Sequence, residues 1–290
     1  MIPAPFDYHR PGTLEEAIGL LSRYGGEAKV LSGGMSLLPT LKLRLGSYAH
    51  LVDINRIPGL EYVKEEKGIL RIGAGTRQAT LERSELIRTK YPILGDAVPL
   101  IADPLVRNRA TIGGNLANGD PANDGPAIMI ALGAELVARG PKGERAIPAN
   151  KFYKALYETA LAPDEILVEV RVPVPPAKSG GAYRKLKRKT GDFAAAAVAV
   201  QLSLNANGTV ARAGIALTNA GPTPIEAVAA SKFLVGKALD EKTLAEAAKL
   251  AASAGSPSAD RRGSVEYKHE MARVLAGRAL KAALERAGRN

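Results

Sequence analysis

Apolar residues in 14–21 recur at helical spacing, with Leu14, Ala17, Ile18 and Leu21 on one face. Thr13 and Glu16 form a capping box at its start, and Gly25-Gly26 predicts the stop. A short apolar run at 28–31 reads as a strand, and Leu51-Val52-Asp53-Ile54 as another. This α/β unit closes near Ile57-Pro58. Beyond it, Tyr62-Val63 and 69–72 read as a hairpin, 79–88 and 92–102 as helices, and 126–132 as a buried helix. Residues 134–138 and 145–147 read as strands joined by a turn at Pro141-Lys142-Gly143-Glu144. The β-branched run 166–172 is a strand that ends in Pro173, Pro175 and Pro176, which with Ser179-Gly180-Gly181 reads as a linker. The last block has three strands, 182–187, 194–204 and 210–218, the last two joined through Asn207-Gly208. Alanine-rich helices follow at 224–234, 244–254 and 265–286, so this block is an α+β domain. The chain thus divides into units 1–58, 59–176 and 177–290.

Two glycine pairs punctuate this pattern: Ser32-Gly33-Gly34-Met35-Ser36 and Thr111-Ile112-Gly113-Gly114-Asn115. Without Cβ atoms the backbone can approach a ligand closely, and successive N–H groups can form an anion-binding nest. Ser32, Ser36 and Thr111 add hydroxyl donors. Two such loops could hold the two phosphates of a dinucleotide from opposite sides. A Gly-Gly pair taken alone reads as ordinary turn punctuation. Neither segment fits G-x-G-x-x-G or G-x-x-x-x-G-K-[ST], and Gly73-Ala74-Gly75-Thr76 lacks the third glycine of the former.

Composition narrows the chemistry. The chain has 290 residues, no cysteine and three histidines, His9, His50 and His269, set far apart. Disulfides, cysteine-ligated clusters and cysteine nucleophiles are therefore excluded within it, and a Ser-His-Asp grouping has little support. An enzyme of this composition relies on a cofactor. No apolar run reaches the length of a membrane span, and the start lacks an export signal, so the expected location is cytoplasmic. The formal charge is +11, with a dense run at 184–189. That charge suits nucleic acid, an anionic cofactor or an acidic partner. Only 4% of residues are aromatic and none is Trp, which leaves few platforms for stacking bases.

Nearly end to end, the chain resembles the FAD-binding medium subunits of the molybdenum hydroxylases, the xanthine dehydrogenase and aerobic carbon monoxide dehydrogenase family. Residues 32–39, Ser-Gly-Gly-Met-Ser-Leu-Leu-Pro, are similar to the family's A-G-G-x-S-L-x-P, and 111–116 to its T-I-G-G-N-L. Asp120-Pro121-Ala122 with Asp124 follows at the family's interval, and Gly191-Asp192-Phe193-Ala194 resembles its third-domain signature. The resemblance implies a PCMH-type (vanillyl-alcohol-oxidase-like) FAD-binding domain of α+β class. Its two subdomains would be 1–58 and 59–176, followed by a C-terminal domain, 177–290, built on a three-stranded antiparallel sheet and helices.

It further implies that Ser32, Gly33, Gly34, Met35, Ser36, Thr111, Ile112, Gly113, Gly114 and Asn115 hold the FAD pyrophosphate. Asp124 would reach the cofactor, the backbone of Leu167 would lie near the flavin ring, and Lys185, from within 184–187, would supply a basic contact to it. Met35, Asn118 and Arg77-Gln78 depart from residues common in relatives. No residue is implied as catalytic and none as a metal ligand. The implied role is electron exit from a complex. A large subunit would hold the molybdenum cofactor, and a small subunit would hold two [2Fe–2S] clusters. A dimer of heterotrimers is the implied assembly, without nucleic acid or direct membrane insertion, though possible contact with the inner membrane face through the complex stays open. The electrons would leave FAD for a quinone, dioxygen or another acceptor. The charge excess at 184–189 would assist FAD binding and docking of partners. Two alternatives remain open: a stand-alone FAD-dependent alcohol oxidase or dehydrogenase of the same fold, and a basic nucleic-acid-binding protein.

Overall fold

The capping signal at Thr13 starts the first helix: Thr13 Oγ1 accepts the Glu16 N–H at 3.2 Å, and Glu16 Oε2 accepts the Gly12 N–H at 2.8 Å. In this computed structural model, which describes residues 2–288, the helix spans Leu14–Tyr24. It buries Ala17, Ile18 and Leu21 against a three-stranded parallel sheet. That sheet runs in the order Asp7–His9, His50–Asp53, Ala28–Leu31. The strand Asp7–His9 is short and exposed, so it leaves no alternation in the sequence.

The middle of the chain forms a five-stranded antiparallel sheet, in the order Val63–Glu66, Ile69–Gly73, Ile166–Pro173, Glu135–Gly140, Gly143–Pro148. Its central strand is buried on both faces. Leu167, Val170 and Val172 enter the core of the middle unit, whereas Ile166 and Val168 pack toward the first unit. The register shifts between Leu167 and Glu169, which lets the strand serve both cores. Helix boundaries differ from the sequence pattern in two places. Residues 79–88 break at Ser84, whose hydroxyl caps a second helix, so the elements are Gln78–Arg83 and Glu85–Lys90. The helix expected to reach 102 ends at Ala97 and continues as a single tighter turn, Val98–Leu100.

The last unit is an antiparallel sheet of Ser179–Leu186, Ala196–Leu204, Val210–Thr218 and Ile225–Glu226. The fourth strand corrects the expected three, and it displaces the start of the next helix to Val228. Ile225 pairs with Leu217 and Glu226 with Ala216, so residues just after Pro224 extend the sheet before the helix begins. The helices Glu241–Ser253 and Val265–Ala287 cover this sheet with a mainly alanine and leucine core. Among the described residues no helix is long and apolar enough to cross a membrane.

One buried carboxylate fastens the central sheet. Glu169 accepts from Arg71 Nε and Nη2 (2.7 and 2.9 Å), from Tyr62 Oη (2.6 Å) and from Arg171 Nε. Burial alone would raise its pKa, but these hydrogen bonds outweigh burial and lower it to about 2. The folded value lies below the ordinary 4.5, so its stabilising contribution is complete above that pH and is lost as pH falls toward about 2. Glu169→Gln is expected to cost about 3 kcal/mol at neutral pH, because it removes the carboxylate that Arg71 and Arg171 share and leaves Arg71 only its longer contact to Glu66. The loss should shrink as pH falls from 4.5 toward 2, as read by urea midpoints at each pH.

Candidate functional site

The two glycine segments meet. Ser32 Oγ lies 2.9 Å from Thr111 Oγ1, joining residues 79 apart in sequence. Gly33 faces the 109–110 backbone so closely that a Cβ there would come within 2.3 Å of the Arg109 carbonyl oxygen. Gly113 packs as tightly on Ala74, whose Cβ would be 2.6 Å away. Neither position accepts a larger residue without moving backbone.

The segments differ in what they offer a ligand. Among the described residues, no acceptor takes the N–H groups of Gly33, Gly34, Met35 or Ser36. The second pair is not a loop but the first turn of the helix Ile112–Ala117. There Ile112 N–H donates to Thr76 O, Gly113 N–H to Ala74 O, and Gly114 N–H to Thr111 Oγ1, at 2.9, 2.8 and 3.0 Å. The first segment therefore presents open donors, and the second presents hydroxyl and amide side chains on a fixed backbone. Asn115 Oδ1 is buried without a partner and rests against Gly125.

Asp124 opens the helix Asp124–Leu132 and is buried. Its Oδ2 accepts from Lys185 Nζ at 2.7 Å and its Oδ1 from Tyr183 Oη at 2.5 Å. Burial pushes the Asp124 carboxyl up, against the pull of the Lys185 ammonium. Lys185 also donates to Leu100 O, and it is the residue of 184–187 that hydrogen-bonds Asp124. Arg184 instead turns to Asp96, which also takes two nitrogens of Arg286, all at 2.8 Å. Arg188 pairs with Asp192, so three of the five cations at 184–189 meet internal acids, while Arg188 and Lys189 stay exposed. Leu167 stands apart, its side chain in the core; the next carbonyl, of Val168, accepts the N–H of Ala74, on which Gly113 packs.

Two site residues lie outside the glycine motifs. Asn55 donates to Ser32 O at 2.7 Å, and Arg77 donates to Asn55 Oδ1 at 2.7 Å and to the Arg109 carbonyl. The Asp53-x-Asn55 spacing, an Asx turn with Asn55 N–H on Asp53 Oδ1 at 2.8 Å, is their only local signal. A cavity of about 230 Å³ opens here, lined by Ser32, Asn55, Gly75 and Arg77. A larger cavity, about 480 Å³, lies over the Glu169 cluster. It touches neither glycine segment, and its arginines 71, 139 and 171 are already paired to glutamates.

Open N–H donors, a hydroxyl pair, an unpartnered amide oxygen and a tight backbone cradle fit a dinucleotide: the phosphates accept and the hydroxyls donate. The fold and site define a dinucleotide-binding protein of α+β class. Residues 4–175 match the family described as the FAD binding domain in molybdopterin dehydrogenase, and 181–283 match the CO dehydrogenase flavoprotein C-terminal domain. The chain is 46% identical over 287 residues to the carbon monoxide dehydrogenase medium chain of Afipia carboxidovorans, covering 99% of both. It is 37% identical to the 6-hydroxypseudooxynicotine dehydrogenase complex subunit alpha of Paenarthrobacter nicotinovorans, covering 99% of this chain and 97% of that one. It is also similar to the solved carbon monoxide dehydrogenase of Hydrogenophaga pseudoflava, with a TM-score of 0.96 and 47% identity over 99% of each chain. The chain belongs to the family of FAD-binding subunits of the molybdopterin dehydrogenases. It is an FAD-binding electron-transfer subunit of an oxidoreductase.

The Asp124–Lys185 pair fastens the C-terminal sheet to the FAD-binding domain. Lys185→Met is expected to cost about 3–5 kcal/mol in urea unfolding, because it leaves Asp124 buried and unpaired. Adding Asp124→Leu should recover part of that loss.

Proposed function

We propose that Ser32 to Ser36 receive the FAD diphosphate on their open N–H groups, with Thr111 and Asn115 closing the other side. The observation that carries this is the contrast between four N–H groups without acceptors and the N–H groups of Ile112 to Asn115 opposite, all of which have one. When bound, FAD supplies a two-electron store that can be filled one electron at a time. The chain's own part is binding and electrostatics. The glycine segments fix the diphosphate, and Asp124 with Lys185 forms a buried charge pair between the two domains, in reach of the site through Asn115 and Asn123. Leu167 contributes through the strand that supports Ala74.

This chain works as the medium subunit of a carbon monoxide dehydrogenase-type complex. Its partners are a large subunit with the molybdenum cofactor and a small subunit with two [2Fe–2S] clusters, arranged as a dimer of heterotrimers. Support comes from the full-length similarity to medium chains and from the absence of cysteine, which leaves no thiolate ligand for a cluster in this chain. The names of further relatives, caffeine dehydrogenase and glyceraldehyde dehydrogenase subunits, vary in substrate. The task they share with this chain is therefore electron exit.

Titration of the purified chain with FAD, ADP and riboflavin tests the diphosphate reading. Two charge-assisted hydrogen bonds are worth roughly 100-fold, so FAD should bind at least that much tighter than riboflavin, and ADP should compete with FAD. Equal affinity for FAD and riboflavin would contradict it.

A further inference from the structure

Arg77 stands beside the glycine segments with its charge unanswered. Its backbone is held in place: residues 77 and 111 form an antiparallel bridge, Gln78 N–H donates to Ala110 O, and Ile112 N–H to Thr76 O, both at 2.9 Å. Its side chain then reaches both supports of the first segment. One arm, through Nη2, meets Asn55 Oδ1 at 2.7 Å, and Asn55 in turn holds the Ser32 carbonyl at 2.7 Å. The other arm, through Nη1, meets the carbonyl of Arg109, the same oxygen on which Gly33 packs. A single guanidinium therefore fixes the distance between the two backbones that form the cradle.

The charges around it are unbalanced. Among the described residues, no carboxylate lies within ion-pair distance of Arg77. Asp53, the acid on the neighbouring strand end, is already taken by Tyr8 Oη at 2.5 Å and by Asn55. Glu61, the other acid facing it, is hydrogen-bonded by Thr80 Oγ1 at 3.3 Å. A second cation, Arg109, sits close by; burial and then Arg109 push the Arg77 pKa down, while Glu61 and Asp53 pull it up only in part. A half-buried guanidinium next to another cation is unfavourable without an anion. It lines the same cavity as Ser32 and Asn55.

We propose that Arg77 is a positioning residue whose charge is answered by the cofactor's diphosphate and whose two arms set the first glycine segment for binding. The proposal rests on the diphosphate reading of that segment. It assigns the stretch after Gly75-Thr76 a role that the glycine motifs do not contain.

The test compares wild type, Arg77→Gln and Arg77→Lys in the full chain, with FAD, ADP and riboflavin as probes in equilibrium titrations at several salt concentrations. Arg77→Gln should lose at least tenfold in affinity for FAD and for ADP by the same factor, leave riboflavin unchanged, and bind FAD with a shallower salt dependence. Its melting temperature without ligand should fall by no more than the loss of two part-exposed hydrogen bonds explains, because no ion pair is broken. Arg77→Lys keeps the charge and loses the double brace, so it should fall between the two and keep the wild-type salt dependence. Arg77→Gln binding FAD within twofold of wild type, or losing FAD and riboflavin alike, would overturn the proposal while leaving the glycine site intact. A wild-type chain that prefers riboflavin to FAD would overturn the diphosphate reading and this proposal together.

Discussion

The site depends on one close approach, between Gly33 and the backbone at Arg109-Ala110. It brings a loop of the first unit within hydroxyl contact of a helix start in the second, so that Ser32 and Thr111 share a hydrogen bond of 2.9 Å. Everything else near the site supports that distance. Asn55 holds the Ser32 carbonyl, Arg77 ties Asn55 to the Arg109 carbonyl, and Gly113 lets the second segment sit down on Ala74. The N–H groups of Ile112 to Asn115 already have acceptors, so in the proposed reading the first segment supplies the donors.

The same economy of charge governs the third unit. Its first strand, Ser179–Leu186, carries cations that look like a solvated stripe, yet each of the leading ones has a distant acid. Arg184 meets Asp96, 88 residues away, and Lys185 meets Asp124, 61 residues away. Arg286 of the last helix converges on Asp96 as well. Asp96 and Asp124 thus hold the C-terminal sheet and its covering helix to the FAD-binding domain, and the second of these pairs stands one residue from the Asn123 that holds the Asn115 carbonyl. Domain assembly and the proposed cofactor site share the same short stretch of chain.

Features set by local chemistry were legible in the sequence. The Thr13 cap, the strand at 28–31 that precedes the first glycine pair, and the turn at Asn207-Gly208 all depend on residues a few positions apart. The meeting of the two glycine pairs was legible as a hypothesis, and the resemblance sharpened it. What the sequence hid was set by distant partners. Ile112–Ala117 is helical despite its two glycines because the Thr76 and Ala74 carbonyls take its first N–H groups. The break at Ser84 follows from its extended backbone and its hydroxyl cap, neither of which interrupts the apolar spacing. Arg77 and Asn55 belong to no contiguous motif, because their work is to join segments that the chain places far apart.

The central claim is that the first glycine segment donates and the second only supports. Residue-resolved amide NMR of the full chain, recorded as FAD is added, tests it most directly. The account predicts that the amides of Gly33 to Ser36 shift strongly and become protected from exchange, while Gly113 and Gly114, already hydrogen-bonded, change little. Large changes at Gly113 and Gly114 with Gly33 to Ser36 unmoved would contradict it.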